Sequence, residues 1–194
     1  MEAVERNELY PVFLKVNYLN TLIVGGGNVA LEKLTFLLKS SPNANVQMVA
    51  PFFREETIAK ANAHGVQMVE GEYEEKYLEG KHIAIATTDK EEVNVQVYND
   101  CKKRNTLVNV ADNPPYCDFY MGGIVTKGNV KIAISTNGKS PTTAKRLRQF
   151  FEEVIPENID DLVQNLNEYR KTIKGNFEEK VEKLNEFTKS LVEK

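Results

Sequence analysis

The first 112 residues alternate between short apolar runs and longer segments in which apolar side chains recur every three or four positions. The apolar runs predict five strands, at 21–25, 46–50, 66–69, 82–86 and 106–110. The segments between them predict helices, such as the one at 55–63 that is followed by Gly65. This alternation indicates an α/β fold with a Rossmann-like, doubly wound parallel sheet. Residues 9–16, which include Pro11, predict a further extended piece at the sheet edge.

Beyond residue 112 the alternation stops. Two apolar runs, 119–126 and 130–135, flank Lys127-Gly128-Asn129, which predicts a β-hairpin. A lone hairpin is only marginally stable. We therefore expect it to pair with the same hairpin of a second subunit, in preference to the edge of the parallel sheet.

The last third of the chain has helical spacing throughout. Ser140 followed by Pro141 is a preferred helix start, and apolar residues then recur every three or four positions as far as Leu191. The chain is thus expected to comprise a Rossmann domain over 1–112, a hairpin and helix dimerisation region over 113–150, and a C-terminal helical domain over 151–194.

A glycine-rich turn joins the first predicted strand to the first predicted helix. Gly25 would allow a tight turn, Gly27 would let a pyrophosphate approach the backbone, and Ala30 is small enough for close helix packing. This spacing favours binding of a dinucleotide, although a tight turn without a ligand is the alternative. The strand ends at 86–89 and 109–112 should then face the nicotinamide, with Thr87-Thr88-Asp89 capping the next helix.

Composition narrows the class of protein. Hydrophobic residues make up 41% and charged residues 27%, which is ordinary for a soluble globular protein, and the net charge of −3 gives no sign of nucleic-acid binding. No apolar run is long enough to span a bilayer, and residues 1–5 are acidic where a signal peptide would be basic. Cys101 and Cys117 lack metal-ligand spacing. We therefore expect a cytoplasmic protein without a bound metal.

Six motifs, taken in order, resemble the precorrin-2 dehydrogenase and sirohydrochlorin ferrochelatase module of sirohaem synthases. They are Gly25-Gly-Gly-Asn-Val-Ala30 with Lys33, Val49-Ala-Pro51, Glu70-Gly71, Ala86-Thr-Thr-Asp89, Asn109-Val-Ala-Asp112 and Ser135-Thr-Asn-Gly-Lys-Ser-Pro141. The resemblance covers about residues 8–175. It implies NAD-dependent oxidation of precorrin-2 to sirohydrochlorin, in many members followed by insertion of ferrous iron, by a homodimer. The chain would correspond to a stand-alone module without the methyltransferase half, so precorrin-2 would be made elsewhere.

The family's essential aspartate corresponds to Asp112, the predicted catalytic residue. A carboxylate beside the nicotinamide could take a proton from the macrocycle as it is oxidised, and a pyrrole proton as metal enters. The alternative is that Asp112 only caps the turn at Asn113-Pro114-Pro115.

The expected cofactor site combines the glycine motif, the resemblance and the strand ends. Its residues are Gly25, Gly27, Asn28, Val29, Pro51, Phe52, Thr87, Thr88 and Asp89. The second strand lacks the acidic residue that usually binds the ribose 2′-hydroxyl, and Arg54 nearby could meet a 2′-phosphate. The expectation of NAD over NADP therefore rests on the resemblance.

A macrocycle with eight carboxylates needs positive charge and hydrogen-bond donors. Residues expected to bind it are Asn109, Lys139, Ser140 and Arg146. The basic residues around this helix start, which include Lys145 and Arg148, could instead form a solvated helix face. At the level of the whole protein, the alternative function is an NAD-sensing regulatory module without catalysis.

Overall fold

The computed structural model describes residues 6–189, so the acidic segment 1–5 and Leu191 lie outside the described residues. The strands are β1 (Asn20–Val24), β2 (Asn45–Ala50), β3 (Gln67–Glu70), β4 (Ile83–Ala86), β5 (Leu107–Val110), β6 (Gly123–Lys127) and β7 (Val130–Ile134). The α-helices are α1 (Asn28–Ser40), α2 (Glu55–Ala63), α3 (Glu91–Arg104), α4 (Pro141–Val154), α5 (Ile159–Thr172) and α6 (Phe177–Thr188).

The chain forms two compact units. The first takes the chain up to Met121 together with Asn137–Lys139, and the second takes Gly122–Thr136 and the chain from Ser140 onward. The three-part division at residues 112 and 150 stays a prediction.

The first unit is built on a five-stranded parallel sheet in the order β3-β2-β1-β4-β5. This confirms the predicted Rossmann-like fold. The strand order reverses at β1, so the crevice at the carboxyl ends of β1 and β4 is the topological switch point where such sheets bind ligands. All four residues of β4 are buried, as its apolar run predicts.

Alternate strand residues fill two cores, one on each face of the sheet. On one face, Ile23 and Met48 pack with α1 residues such as Leu34. On the other face, Leu22 and Val49 pack in a cluster with α3 residues that include Val97 and Cys101. The helical spacing of α1 and α3 thus matches the faces that they bury.

Three sequence-based expectations need correction. Residues 9–15 form no strand; they are irregular and exposed, and the chain enters the core only at Val16, in the 3₁₀ turn Val16–Tyr18. The hairpin begins at Gly123 and not at 119, because the Phe119 carbonyl accepts a hydrogen bond from the Asn109 side chain at 2.8 Å. Helix α3 begins at Glu91 with Lys90 as its N-cap and has no side-chain cap; the Thr88 hydroxyl donates to Asn94 Oδ1 at 2.8 Å and accepts from the Lys90 N–H at 3.2 Å.

The second unit contains the predicted hairpin and three helices. Strands β6 and β7 are antiparallel, and Gly128 in the turn has φ +54°, a conformation suited to glycine. Ser140 caps α4 as predicted, since its Oγ accepts a hydrogen bond from the Thr143 N–H at 3.2 Å. On α5, Asp160 accepts hydrogen bonds from the backbone and side-chain nitrogens of Asn129 at 2.6 and 2.8 Å, which tie the hairpin turn to the helix.

Within residues 6–189, no helix has both the length and the apolar character needed to cross a bilayer.

Candidate functional site

The glycine turn has two kinds of glycine. A Cβ at Gly25, where φ is +127°, would collide with Thr87, and one at Gly26 would collide with the Phe52 carbonyl and with Phe53. These two glycines are needed for packing within the protein. A Cβ at Gly27 would meet no atom within 4 Å, so this position borders open space. In the dinucleotide-binding motif, this glycine is the one that the pyrophosphate approaches.

The N-terminus of α1 carries no competing negative charge. Its N-cap is Gly27, no side chain caps it, and its first turn has no acidic residue. Helices α2, α3, α5 and α6 each have two acidic residues there. Because the N–H groups and the dipole of a helix N-terminus attract anions, this end of α1 fits a pyrophosphate. Asn28 is exposed and Val29 half-buried at this end.

The segment after β2 is held against the glycine turn. The Arg54 N–H donates to the Gly26 carbonyl at 3.0 Å, and the Thr57 hydroxyl donates to the same oxygen at 3.1 Å. These bonds place Pro51 and Phe52 next to the turn. Phe52 is 69% exposed, so an apolar aromatic side chain borders the open side of the site.

The segment after β4 is held in place by hydrogen bonds of its threonine side chains. The Thr87 hydroxyl is buried and donates to the Val24 carbonyl at 2.8 Å, which binds the end of β4 to the end of β1. Thr88 and Asn94 hydrogen-bond each other through side chains and backbone. Asp89 is exposed, and its carboxylate has no hydrogen-bond or ion-pair partner among residues 6–189.

Asp112 lies two residues beyond β5, at the same edge of the sheet. Its φ is +58°, in the left-handed region that Asp tolerates better than most residues. The Asn113 N–H donates to the Val110 carbonyl at 3.2 Å and closes this turn. The Asp112 side chain is exposed and makes no hydrogen bond or ion pair with any other described residue, so the capping alternative finds no support.

Asn109 and Cys117 link the Asp112 turn to the loop that follows. Asn109 is 6% exposed, and its Nδ2 donates to the Phe119 carbonyl at 2.8 Å and contacts Cys117 Sγ at 3.4 Å. The Cys117 thiol donates to the Val110 carbonyl at 3.2 Å, and burial raises the pKa of this thiol, which keeps it protonated. The sequence indicated neither contact, because both depend on how the loop folds back.

The residues expected to bind substrate are not all in one unit. Ser140 Oγ is engaged with Thr143, and the exposed Arg146 donates to Gln149 at 3.1 Å. Both belong to the second unit, whereas Lys139 groups with the first. Their joint role stays a prediction. Across the described chain, no group of three or more His, Cys, Asp or Glu side chains could hold a metal ion.

Comparison with known proteins gives two family matches. Residues 12–123 match the family model described as "Putative NAD(P)-binding", and residues 127–153 match the one described as "Sirohaem biosynthesis protein central". The nicotinamide cofactor class expected from the glycine turn thus agrees with the family match.

Curated relatives carry the name siroheme synthase. The protein from Pseudoalteromonas translucida is 37% identical over 164 residues, which is 84% of this chain and 34% of the relative. The protein from Psychrobacter sp. is 38% identical over 165 residues, which is 85% of this chain and 34% of the relative. The chain therefore spans about a third of the length of these relatives.

Among solved structures, the fold matches that of "SirC, precorrin-2 dehydrogenase". The TM-score is 0.75 at 24% sequence identity, over 92% of this chain and 88% of that one. This likeness supports the fold described above.

Proposed function

This chain belongs to the NAD(P)-binding family whose model spans residues 12–123, and from that premise we propose that it oxidises precorrin-2 to sirohydrochlorin with NAD in sirohaem biosynthesis. The names of the relatives, siroheme synthase and precorrin-2 dehydrogenase, support this choice of substrate. The second family match, over residues 127–153, supports the same pathway.

The observation that carries the proposal is the unpartnered carboxylate of Asp112 at the carboxyl edge of the sheet. An oxidation of this kind removes a hydride and a proton from the substrate. When bound, NAD supplies the acceptor for the hydride. The Asp112 carboxylate accepts the proton. No described residue pairs with this carboxylate, so nothing in residues 6–189 holds it away from the substrate.

The other residues of the proposed site bind and orient the dinucleotide and the macrocycle. The open side of Gly27 and the N-terminus of α1 hold the pyrophosphate. Pro51 and Phe52 border the adenosine half, and residues 87–89 border the nicotinamide half. Asn109, Lys139, Ser140 and Arg146 are proposed for the carboxylates of the macrocycle.

The test is an anaerobic assay with precorrin-2 and NAD that records both NADH and the tetrapyrrole spectrum. Asp112→Asn is the informative variant, because Asn also tolerates the left-handed backbone and the fold should be kept. We expect its kcat to fall by about 10²- to 10⁴-fold, the usual contribution of a general base. The matched control is Asp161→Asn, since Asp161 is an exposed aspartate on α5 without a described side-chain partner.

Two outcomes would contradict the proposal. If the parent protein binds NAD but forms no NADH with precorrin-2, the proposed oxidation is refuted and the NAD-sensing alternative is favoured. If Asp112→Asn turns over at the parent rate, the proton acceptor is another group.

We extend the proposal to insertion of ferrous iron, because relatives named siroheme synthase support an iron-containing product. Iron is here a substrate that displaces two pyrrole protons; the Asp112 carboxylate would accept one of them, and the other would pass to solvent. Incubation with sirohydrochlorin and ferrous or cobaltous ion should accelerate the spectral change over the uncatalysed rate. No acceleration would limit the protein to dehydrogenation.

We further propose a cytoplasmic homodimer. In the described chain β6 and β7 pair only with each other, so each leaves one edge for the same element of a second subunit. Light scattering after size-exclusion chromatography should give twice the 22.0 kDa of the chain, whereas a monomer mass would refute the dimer.

A further inference from the structure

Strand β2 ends without the acidic residue that dinucleotide-binding folds usually place there. That residue accepts a hydrogen bond from the 2′-hydroxyl of the adenosine ribose and disfavours the 2′-phosphate of NADP. Here β2 ends at Ala50, and the segment that follows carries a cation, Arg54. Strand β2 therefore supplies no carboxylate that could favour NAD over NADP.

The neighbouring strand supplies one. Parallel pairing places Glu70 beside Ala50, and the Gly71 N–H donates to the Ala50 carbonyl at 2.9 Å. Glu70 is thus the last residue of β3 and lies directly next to the end of β2, about 4.8 Å away in the hydrogen-bonding direction. A glutamate is one methylene longer than the usual aspartate, which offsets part of this displacement.

The position of Glu70 matches the side of the sheet that carries the dinucleotide turn. Side chains alternate along a strand, so Glu70 has the same orientation as Met68. Met68 packs against the cluster that contains Ala50 of β2 and Ala30 of α1. Glu70 is therefore on the α1 side of the sheet, and it is exposed. Its carboxylate has no hydrogen-bond or ion-pair partner in the part of the chain that the structure describes.

Arg54, the residue that could attract a 2′-phosphate, is already paired. Its Nε lies 3.4 Å from Glu56 Oε2. The backbone N–H of Glu56 and the Arg54 guanidinium hold the pKa of that carboxyl below its usual range, so Glu56 is ionised. Glu55 adds a second negative charge to the same helix turn. A phosphate at Arg54 would thus meet a cation already paired with Glu56, in a helix turn that also carries Glu55.

We propose that Glu70 is the residue that selects NAD over NADP, by accepting a hydrogen bond from the adenosine ribose 2′-hydroxyl and repelling a 2′-phosphate. This inference rests on the proposed function, because it concerns the same cofactor site. It moves the selecting acid from the second strand, where the motif places it, to the end of the third.

The experiment measures dissociation constants for NAD and NADP separately, by isothermal titration calorimetry at fixed salt. Glu70→Gln keeps the size of the side chain and removes its charge. We expect NAD to bind about tenfold more weakly, the equivalent of about 1.4 kcal/mol for a charge-assisted hydrogen bond, and NADP to bind at least as well as to the parent. Glu72→Gln is the matched control, since Glu72 is exposed, two residues away and 3.7 Å from Lys90 Nζ; it should leave both constants unchanged.

The outcomes separate this inference from the proposed function. If the parent binds NAD and oxidises precorrin-2 but Glu70→Gln keeps the parent's ratio of the two constants, Glu70 is not the selecting residue and the proposed function stands. A parent that prefers NADP, with the preference lost in Arg54→Ala, would assign selection to Arg54 and also overturn the inference. If the parent binds neither dinucleotide, the proposed function itself falls.

Discussion

The two units bury their apolar side chains to very different degrees. In the first unit, strands β1 and β4 and helices α1 and α3 contribute side chains that are fully enclosed, among them Leu22, Ile23 and Leu34. In the second unit, none of the three helices has a buried residue, and Leu147, Phe150 and Val154 of α4 are exposed. An amphipathic helix is stabilised mainly by burying its apolar face. The first unit thus has a core of its own, whereas the second leaves apolar faces that a second subunit could cover.

Two leucine truncations give the largest expected effect and test this comparison directly. Leu34 on α1 is 0% exposed and Leu147 on α4 is 39% exposed. Leu34→Ala should destabilise the protein by about 3 kcal/mol, because it removes buried methyl groups and leaves a cavity. Leu147→Ala should cost under about 1 kcal/mol, as for surface positions. Urea unfolding followed by circular dichroism measures both.

An equal loss of stability in the two variants would contradict this difference in burial between the two units. They would mean that Leu147 is buried in solution, as a dimer would require. Repeating the Leu147→Ala measurement over a range of protein concentrations identifies that case, because the stability of a dimer depends on concentration.

Asn109→Ala gives the second largest effect and tests whether a polar group in the first unit is structural. The change leaves the Phe119 carbonyl without its donor at 2.8 Å. We expect a loss of roughly 1–2 kcal/mol, since the acceptor left without a donor is half-buried. Thermal unfolding measures the loss, and Asn62→Ala, at an exposed position of α2 without a described side-chain partner, serves as a control for loss of an asparagine side chain.

The result also bears on the substrate role expected for Asn109. A variant with parent stability and a raised KM for precorrin-2 would indicate that the amide contacts substrate. A destabilised variant with an unchanged KM would indicate that it holds the loop.

Local patterns in the sequence predicted most of the fold. The apolar run of β4, the spacing in α1 and the Ser140 cap are each decided within a few residues. Contacts between segments distant in sequence could not be predicted from local patterns. That Glu70 lies beside Ala50 depends on the register of two strands, and that Asn109 reaches Phe119 depends on how a loop folds back. The extended piece expected at the sheet edge over 9–16 was wrong because pairing with a sheet edge is not a local property of the sequence.

For the site, the sequence indicated the region and not the detailed roles. The glycine motif predicted a dinucleotide turn, but only the structure separates Gly26, which packs against the Phe52 carbonyl, from Gly27, which borders open space. The position of Asp112 after β5 was predicted, whereas its left-handed backbone and unpartnered carboxylate were not.

The smallest expected effect concerns a polar tie in the second unit, and it appears as a dependence on pH. Asp160 on α5 accepts two hydrogen bonds from Asn129 at the hairpin turn, and these bonds hold the pKa of its carboxyl below the ordinary value. A lowered pKa in the folded state means that Asp160 adds stability above its unfolded pKa of about 3.9, and that this contribution is lost as pH falls through the folded pKa. Thermal melts from pH 7 to pH 2 should therefore show a steeper loss of stability below about pH 4 for the parent than for Asp160→Asn.

The control is Asp161→Asn. The Asp161 carboxylate has no described partner, so this variant should follow the parent curve. If Asp160→Asn also follows the parent curve, these hydrogen bonds add nothing measurable to stability, which leaves the burial of Val125 and Ile134 as what stabilises the hairpin.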